Sequence, residues 1–153
     1  KGYDTNAKVN PPLRTERDID AIKEGLRDGT IDVIATDHAP HHRDEKRQEF
    51  DKAPSGISGF ETAVSLSLKL VHEGLMSISQ LVEKMALNPA RILGLEKGRL
   101  RTGADADITI LDIRKEVKVD PERFHSKGRN TPFGGWTLTG SPVMTLCRGK
   151  IYE

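Results

Sequence analysis

Cysteine is almost absent from this chain. Cys147 is the only one among 153 residues, so no disulfide can close within the chain and no paired-cysteine zinc motif is available. Its alternating apolar surroundings predict a buried small hydrophobe. An excess of either charge is missing too: 24 Lys and Arg face 23 Asp and Glu, a net of +1 with 31% of residues charged. That balance argues against a nucleic-acid or anionic-membrane binder. No run of about 18 apolar residues and no signal-peptide pattern occurs, so a soluble cytoplasmic protein is expected. Walker loop, Rossmann glycines and nucleophile elbow are all lacking. The chain has the length of one ordinary domain. It begins at Lys1 without a methionine and is expected to be a fragment or a processed piece.

What is present divides near Leu100, giving expected units of 1–99 and 100–153. In the first, Thr15 can cap a helix with Asp18 in its first turn. Ile19, Ile22 and Leu26 recur at helical spacing and Gly29 ends the helix. Ile31 to Thr36 reads as a strand, its Val33-Ile34-Ala35 run suited to cover on both faces. A polar loop follows from His38 to about Gly59; its residues 42–53, charged and without apolar anchors, are expected to be disordered in the absence of ligand. A helix is predicted from Phe60 to Glu73, ended by Gly74, with Glu61 capping its first turn. Another starts at Ser77 with Gln80 completing a capping box. Asn88-Pro89 reads as the cap and first residue of a final short helix through Leu93.

Beyond Arg99 the apolar period becomes two. Strands are expected over Ala106 to Ile113, Glu116 to Val119 and Val143 to Tyr152. One βα unit cannot close a parallel sheet, because its strand leaves ladder edges on both sides. The first unit should therefore need further barrel from outside this sequence.

The chemistry concentrates at the end of the first strand. Polar groups at the C-terminal end of a strand in a parallel α/β fold sit where active sites are built. Asp37 stands there, with His38 and His41 just beyond. A carboxylate in that place can bind a divalent cation and shuttle a proton; an Asx-turn or helix cap is the alternative. His38, His41 and His42 match neither a helical zinc pair nor a finger. His72 and His125 read as surface or packing residues. Asn10, before Pro11-Pro12, can donate to and accept from an amide-like ligand, or simply start a turn. Ser55-Gly56 can offer backbone groups at close approach, or be a plain turn. Phe133 and Trp136 are read as packing the β region.

Taken together, these segments resemble the C-terminal third of a bacterial-type dihydroorotase, of the amidohydrolase superfamily. The resemblance is carried by Val9-Asn10-Pro11-Pro12-Leu13-Arg14, by Asp32 to His41, by Lys52 to Ile57 with Gly59 and Glu61, by Asn88 to Leu95 with Gly98 and Gly103 to Asp107, and by Ser126 to Gly135. It covers nearly the whole chain. It implies an α/β fold: the C-terminal portion of a (β/α)8 TIM-like barrel with part of a small β-sandwich. It implies reversible conversion of N-carbamoyl-L-aspartate to L-dihydroorotate, a step of pyrimidine biosynthesis. Asp37 would be both metal ligand and catalytic acid/base, Asn10 and His41 would hold substrate, and Ser55 and Gly56 would give backbone contacts. Position 55 is Phe in relatives. The cofactor implied is Zn2+, one or two ions, with the other ligands upstream, so this chain alone should be inactive. The implied partners are the small-molecule substrate, the missing N-terminal segment, further copies of the enzyme and an aspartate transcarbamoylase, with no nucleic acid and no membrane. A dihydropyrimidinase- or allantoinase-like hydrolase and a non-catalytic scaffold are the alternatives.

Overall fold

The computed structural model describes residues 2–152. Helix α1 (Glu16–Asp28) begins and ends where the sequence places it. Thr15 accepts the Asp18 N–H through its hydroxyl, and Asp18 accepts the Thr15 N–H at 3.0 Å. Gly29 closes the helix at φ +88°, a conformation that costs a residue with a Cβ about 1 kcal/mol. The stripe drawn by the helical period is only partly buried: Leu26 is covered, whereas Ile19 and Ile22 are about half exposed.

Segment 31–36 departs from expectation. No strand pairs with it among the described residues; a single parallel bridge joins His38 to Ile57 just beyond it. Apolar pattern predicts where a strand can lie, but the ladder needs a neighbour. Its backbone is anchored by helices instead, which answers where its hydrogen bonds go. The Ile31 N–H donates to the Gly25 carbonyl at 2.8 Å, and the Ile34 N–H donates to that of Lys84 at 3.0 Å. The Lys84 ammonium donates to the Ile31 carbonyl, and the Asn88 amide to that of Asp32 at 3.0 Å.

The loop after it contains a helical turn, α2 (Arg43–Lys46), capped by His42. Helix α3 (Phe60–His72) follows, then α4 (Ile78–Val82), whose Ser77–Gln80 capping box forms as expected. Asn88-Pro89 opens a short helix as read, but the helical path reaches it without a break, so Asn88 is not its cap. A π-helical turn, Glu83–Leu87, joins α4 to α5 (Asn88–Ile92). Proline lacks an N–H and its ring crowds the carbonyl four residues back, and the wider turn accommodates both. Leu26, Leu68, Met76 and Leu81 form the buried core, flanked by Ile31, Ile34 and Val64. No helix among the described residues is long and apolar enough to cross a membrane.

The C-terminal part is an antiparallel sheet of β1 (Ile108–Lys118), β2 (Thr137–Cys147) and β3 (Lys150–Tyr152), in that order. The two strands expected before residue 120 are one. Its register slips between Asp112 and Glu116, where the Asp112 carboxylate accepts the Arg114 and Lys115 N–H groups. β2 begins six residues before Val143, because Gly140 and Pro142 disguise its first half. Pro142 lies at the other register shift, where a missing N–H is tolerated. Gly140 is where β2 packs on α3: a Cβ there would lie 2.5 Å from Leu68 Cδ1. Cys147 is exposed, not buried. It ends β2 beside the Arg148-Gly149 turn, and alternation buries a side chain only where another layer covers it.

Candidate active site

Asn10, Asp37, Ser55 and Gly56 line one cleft of about 580 Å³, together with Ile34, Thr62 and Phe133. Asp37 is exposed and adopts φ +43°, in the left-handed region that Asp tolerates better than most residues. The chain is held on its far side. The His38 Nδ1 accepts the Gly59 N–H at 3.1 Å and the Phe60 N–H at 3.4 Å, and the Ala39 N–H donates to the Ile57 carbonyl at 3.0 Å. Among the described residues nothing hydrogen-bonds to the Asp37 carboxylate, so neither an Asx-turn nor a cap accounts for it. The Asn10–Pro11 peptide is cis.

His41 lies outside this cleft. Its Nε2 is 3.1 Å from the Ser55 carbonyl and its Nδ1 is 3.6 Å from Glu45, and it lines a second cleft with Tyr3 and Arg43. Gly56, at φ +146°, separates the two: a Cβ there would lie 2.7 Å from Ala39 Cβ and 2.9 Å from His41 Nε2. Its backbone is engaged within the chain. The N–H donates to the Lys8 carbonyl at 2.9 Å; the carbonyl accepts from Lys46 at 3.2 Å and from Asn130 at 3.0 Å. The glycine is thus required for close packing, while its expected ligand-facing groups are occupied.

Sequence reasoning missed the frame that holds this loop. Lys46 is 5% exposed, and its ammonium donates to the Pro54 carbonyl at 2.8 Å. Burial pushes its pKa below the ordinary lysine range; Lys8 adds to this and Asp4 opposes it. The Lys8 ammonium donates to the carbonyls of Phe50 at 2.6 Å and Ala53 at 2.6 Å. These polar anchors order a segment that has few apolar ones. Neither lysine carries a sequence signal, since lysines usually stay in solvent. Asn130, buried in the segment before β2, is equally silent in sequence.

Glu61 lies in the first turn of α3 as read, but its carboxylate is turned mainly to Ser126. Its Oε1 accepts the Ser126 N–H at 2.8 Å and hydroxyl at 2.6 Å, and His38 from another segment satisfies the helix start. Burial alone would raise this carboxyl; the Ser126 hydroxyl and N–H, with the backbone N–H of Glu61 itself, outweigh it and hold the pKa below the usual glutamate value. Phe133, expected only to pack the β region, lines the cleft while meeting Trp136 edge-on at 5.3 Å. No three His, Cys, Asp or Glu side chains converge as a metal site among the described residues.

The sequence profile of the amidohydrolase family matches residues 5–152. The dihydroorotase of Syntrophus aciditrophicus is 57% identical over 149 residues, 97% of this chain and 35% of its own length. That of Pelotomaculum thermopropionicum is 58% identical over 151 residues, 98% of this chain and 35% of its own. Among solved structures, an L-hydantoinase (dihydropyrimidinase) from Arthrobacter aurescens superposes with a TM-score of 0.91 at 36% identity, over 97% of this chain and 34% of that one. A D-hydantoinase gives 0.87 at 29% identity, over 96% and 34%. The chain spans about a third of the length of the curated relatives it matches.

Proposed function

The chain belongs to the amidohydrolase family, and we propose that it is the C-terminal part of a dihydroorotase, opening and closing the cyclic amide of L-dihydroorotate in pyrimidine biosynthesis. The observation that carries this is the convergence of Asn10, Asp37 and Ser55 on one cleft at the end of segment 31–36. The relatives named dihydroorotase at 54–58% identity support the substrate. The fold is a portion of a (β/α)8 barrel with part of a small β-sandwich, as the hydantoinase likeness requires. In this reading residues 1–99 belong to the barrel and 100–153 to the sandwich. The ladder-less segment 31–36 and the half-exposed Ile19 and Ile22 suit a barrel whose other strands come from outside these residues.

The residues described here do not make a metal site by themselves, since a catalytic zinc takes about three protein ligands. An exposed carboxylate free of internal hydrogen bonds fits one ligand of a set completed elsewhere, and Asp37 would be that ligand. Zinc, when bound, would polarise the amide carbonyl and make water acidic enough to attack. Asp37 takes a proton from the attacking water and delivers it to the ring nitrogen as the C–N bond breaks. Asn10 holds the amide by donating and accepting. His41 meets the substrate carboxylate by leaving the Ser55 carbonyl, and Ser55 supplies contacts from the loop.

Hydrolysis of L-dihydroorotate by the intact protein with zinc tests this reading, with dihydrouracil, hydantoin and allantoin as competitors. Preference for hydantoin or dihydrouracil would favour the second reading, the activity named for the superposed structures. This chain alone is expected to be inactive.

A further inference from the structure

We propose that His38 is the positioning residue for Asp37, held in a single tautomer between the start of α3 and a Ser126–Glu61 pair. The inference rests on the proposed catalytic role of Asp37. The His38 Nδ1 faces two donors, the N–H groups of Gly59 at 3.1 Å and Phe60 at 3.4 Å. It must therefore present its lone pair, which places the proton of the neutral ring on Nε2. On that side lies the Ser126 hydroxyl, 3.5 Å away, whose own proton goes to Glu61 Oε1 at 2.6 Å. A hydroxyl that gives its proton to a carboxylate keeps lone pairs for an incoming N–H. Donor and acceptor senses thus agree from His38 through Ser126 to Glu61. The Nε2 link is long, so the hold on α3 is the stronger of the two.

Two further contacts immobilise the ring and its partner. Phe60 stacks on the imidazole with 3.8 Å between centroids and 5° between planes. The second Glu61 oxygen is buried without a hydrogen bond among the described residues, and Ser126 fixes that carboxylate through Oε1. Asp37, the preceding residue, sits at φ +43° with no hydrogen bond on its own side chain among the described residues. A left-handed residue relaxes unless its flanks are fixed. The anchored His38 ring removes that freedom and sets the aim of the carboxylate into the cleft.

The test uses the intact protein containing this chain. With ¹⁵N-histidine labelling, a long-range ¹H–¹⁵N spectrum reads the His38 tautomer, assigned by its loss in His38→Asn. An Nε2–H ring is expected; an Nδ1–H ring or an averaged mixture overturns the inference whatever the activity. Dihydroorotate hydrolysis supplies the second readout. His38→Leu removes the acceptor, and kcat is expected to fall about tenfold with KM changed less than about twofold. In His38→Asn the carboxamide oxygen replaces Nδ1, and kcat is expected to recover to within about threefold of the parent. An unchanged kcat in the folded Leu variant, or an Asn variant no better than it, overturns the proposal. Should the Leu variant not fold, the tautomer decides. A parent protein without dihydroorotase activity refutes the proposed reaction, and the tautomer again decides this inference.

Discussion

Asn130 and His41 are joined across 89 residues of chain: the Asn130 Oδ1 accepts the His41 backbone N–H at 2.9 Å. The same oxygen accepts the Ser58 hydroxyl at 3.0 Å, and Nδ2 donates to the Ala39 carbonyl at 2.9 Å and the Gly56 carbonyl at 3.0 Å. One buried carboxamide therefore ties the segment after Asp37 to the loop that carries Ser55. Asn130→Ala leaves four groups without this partner and is expected to cost about 3 kcal/mol. Urea unfolding of the intact protein measures it; a loss below about 1 kcal/mol would show the tie to be dispensable.

Gly56→Ala combines strain with collision. At φ +146°, a Cβ would meet Ala39 Cβ at 2.7 Å and the Ala39 carbonyl oxygen at 3.0 Å, both on a backbone that cannot swing aside. A cost of about 2 kcal/mol is expected. KM for dihydroorotate should rise as Ser55 and His41 shift. Steady-state kinetics beside thermal unfolding would separate these effects.

Asp37→Asn separates chemistry from fold. Asn tolerates the left-handed region as well as Asp does, so stability of the metal-free protein should change by less than about 0.5 kcal/mol. Loss of the proton carrier should lower kcat by about 10²–10⁴-fold. Activity surviving in the Asn variant would remove Asp37 from the mechanism.

Glu61 links stability to acid. Its folded pKa lies below the ordinary value of 4.5, because the Ser126 donors and the backbone N–H of Glu61 overcome burial. The unfolded chain therefore binds more protons in that window, and stability rises with pH there. The contribution is complete above the ordinary value and is lost as pH falls through the folded one. Glu61→Gln should lower stability at neutral pH, and the gap should narrow in acid. Denaturation at both pH values gives the comparison, and a constant gap would contradict it.

Lys46→Met keeps an unbranched side chain one atom shorter and removes the donor. The Pro54 and Gly56 carbonyls then lose their ammonium partner, at an expected cost of about 2 kcal/mol. Limited proteolysis should cut within residues 43–53 faster than in the parent. Equal cutting rates would mean that Lys8 holds the loop alone.

Helix ends were legible in sequence because capping is local. Thr15 with Asp18, Gly29, and Ser77 with Gln80 act within a few residues, and each forms as read. The strands were less legible. Gly140 and Pro142 hid half of β2, and the bend at Asp112 made β1 look like two. Asp37 could be singled out by position and chemistry, and Asn10, Ser55 and Gly56 do share its cleft. His41 was grouped with them, yet it turns to the Ser55 carbonyl instead.

Helix boundaries, the change from helical to alternating period and the residues able to do chemistry are written locally along the chain. These depend on neighbours a few positions away. It takes the folded chain to show that segment 31–36 is anchored by Lys84 and Asn88, that Lys8 and Lys46 order the long loop, and that His38 starts α3. Asn130, 89 residues from His41, belongs with these. Each is a polar group satisfied by a partner distant in sequence. Burial makes that pairing obligatory, but no local pattern names the partner.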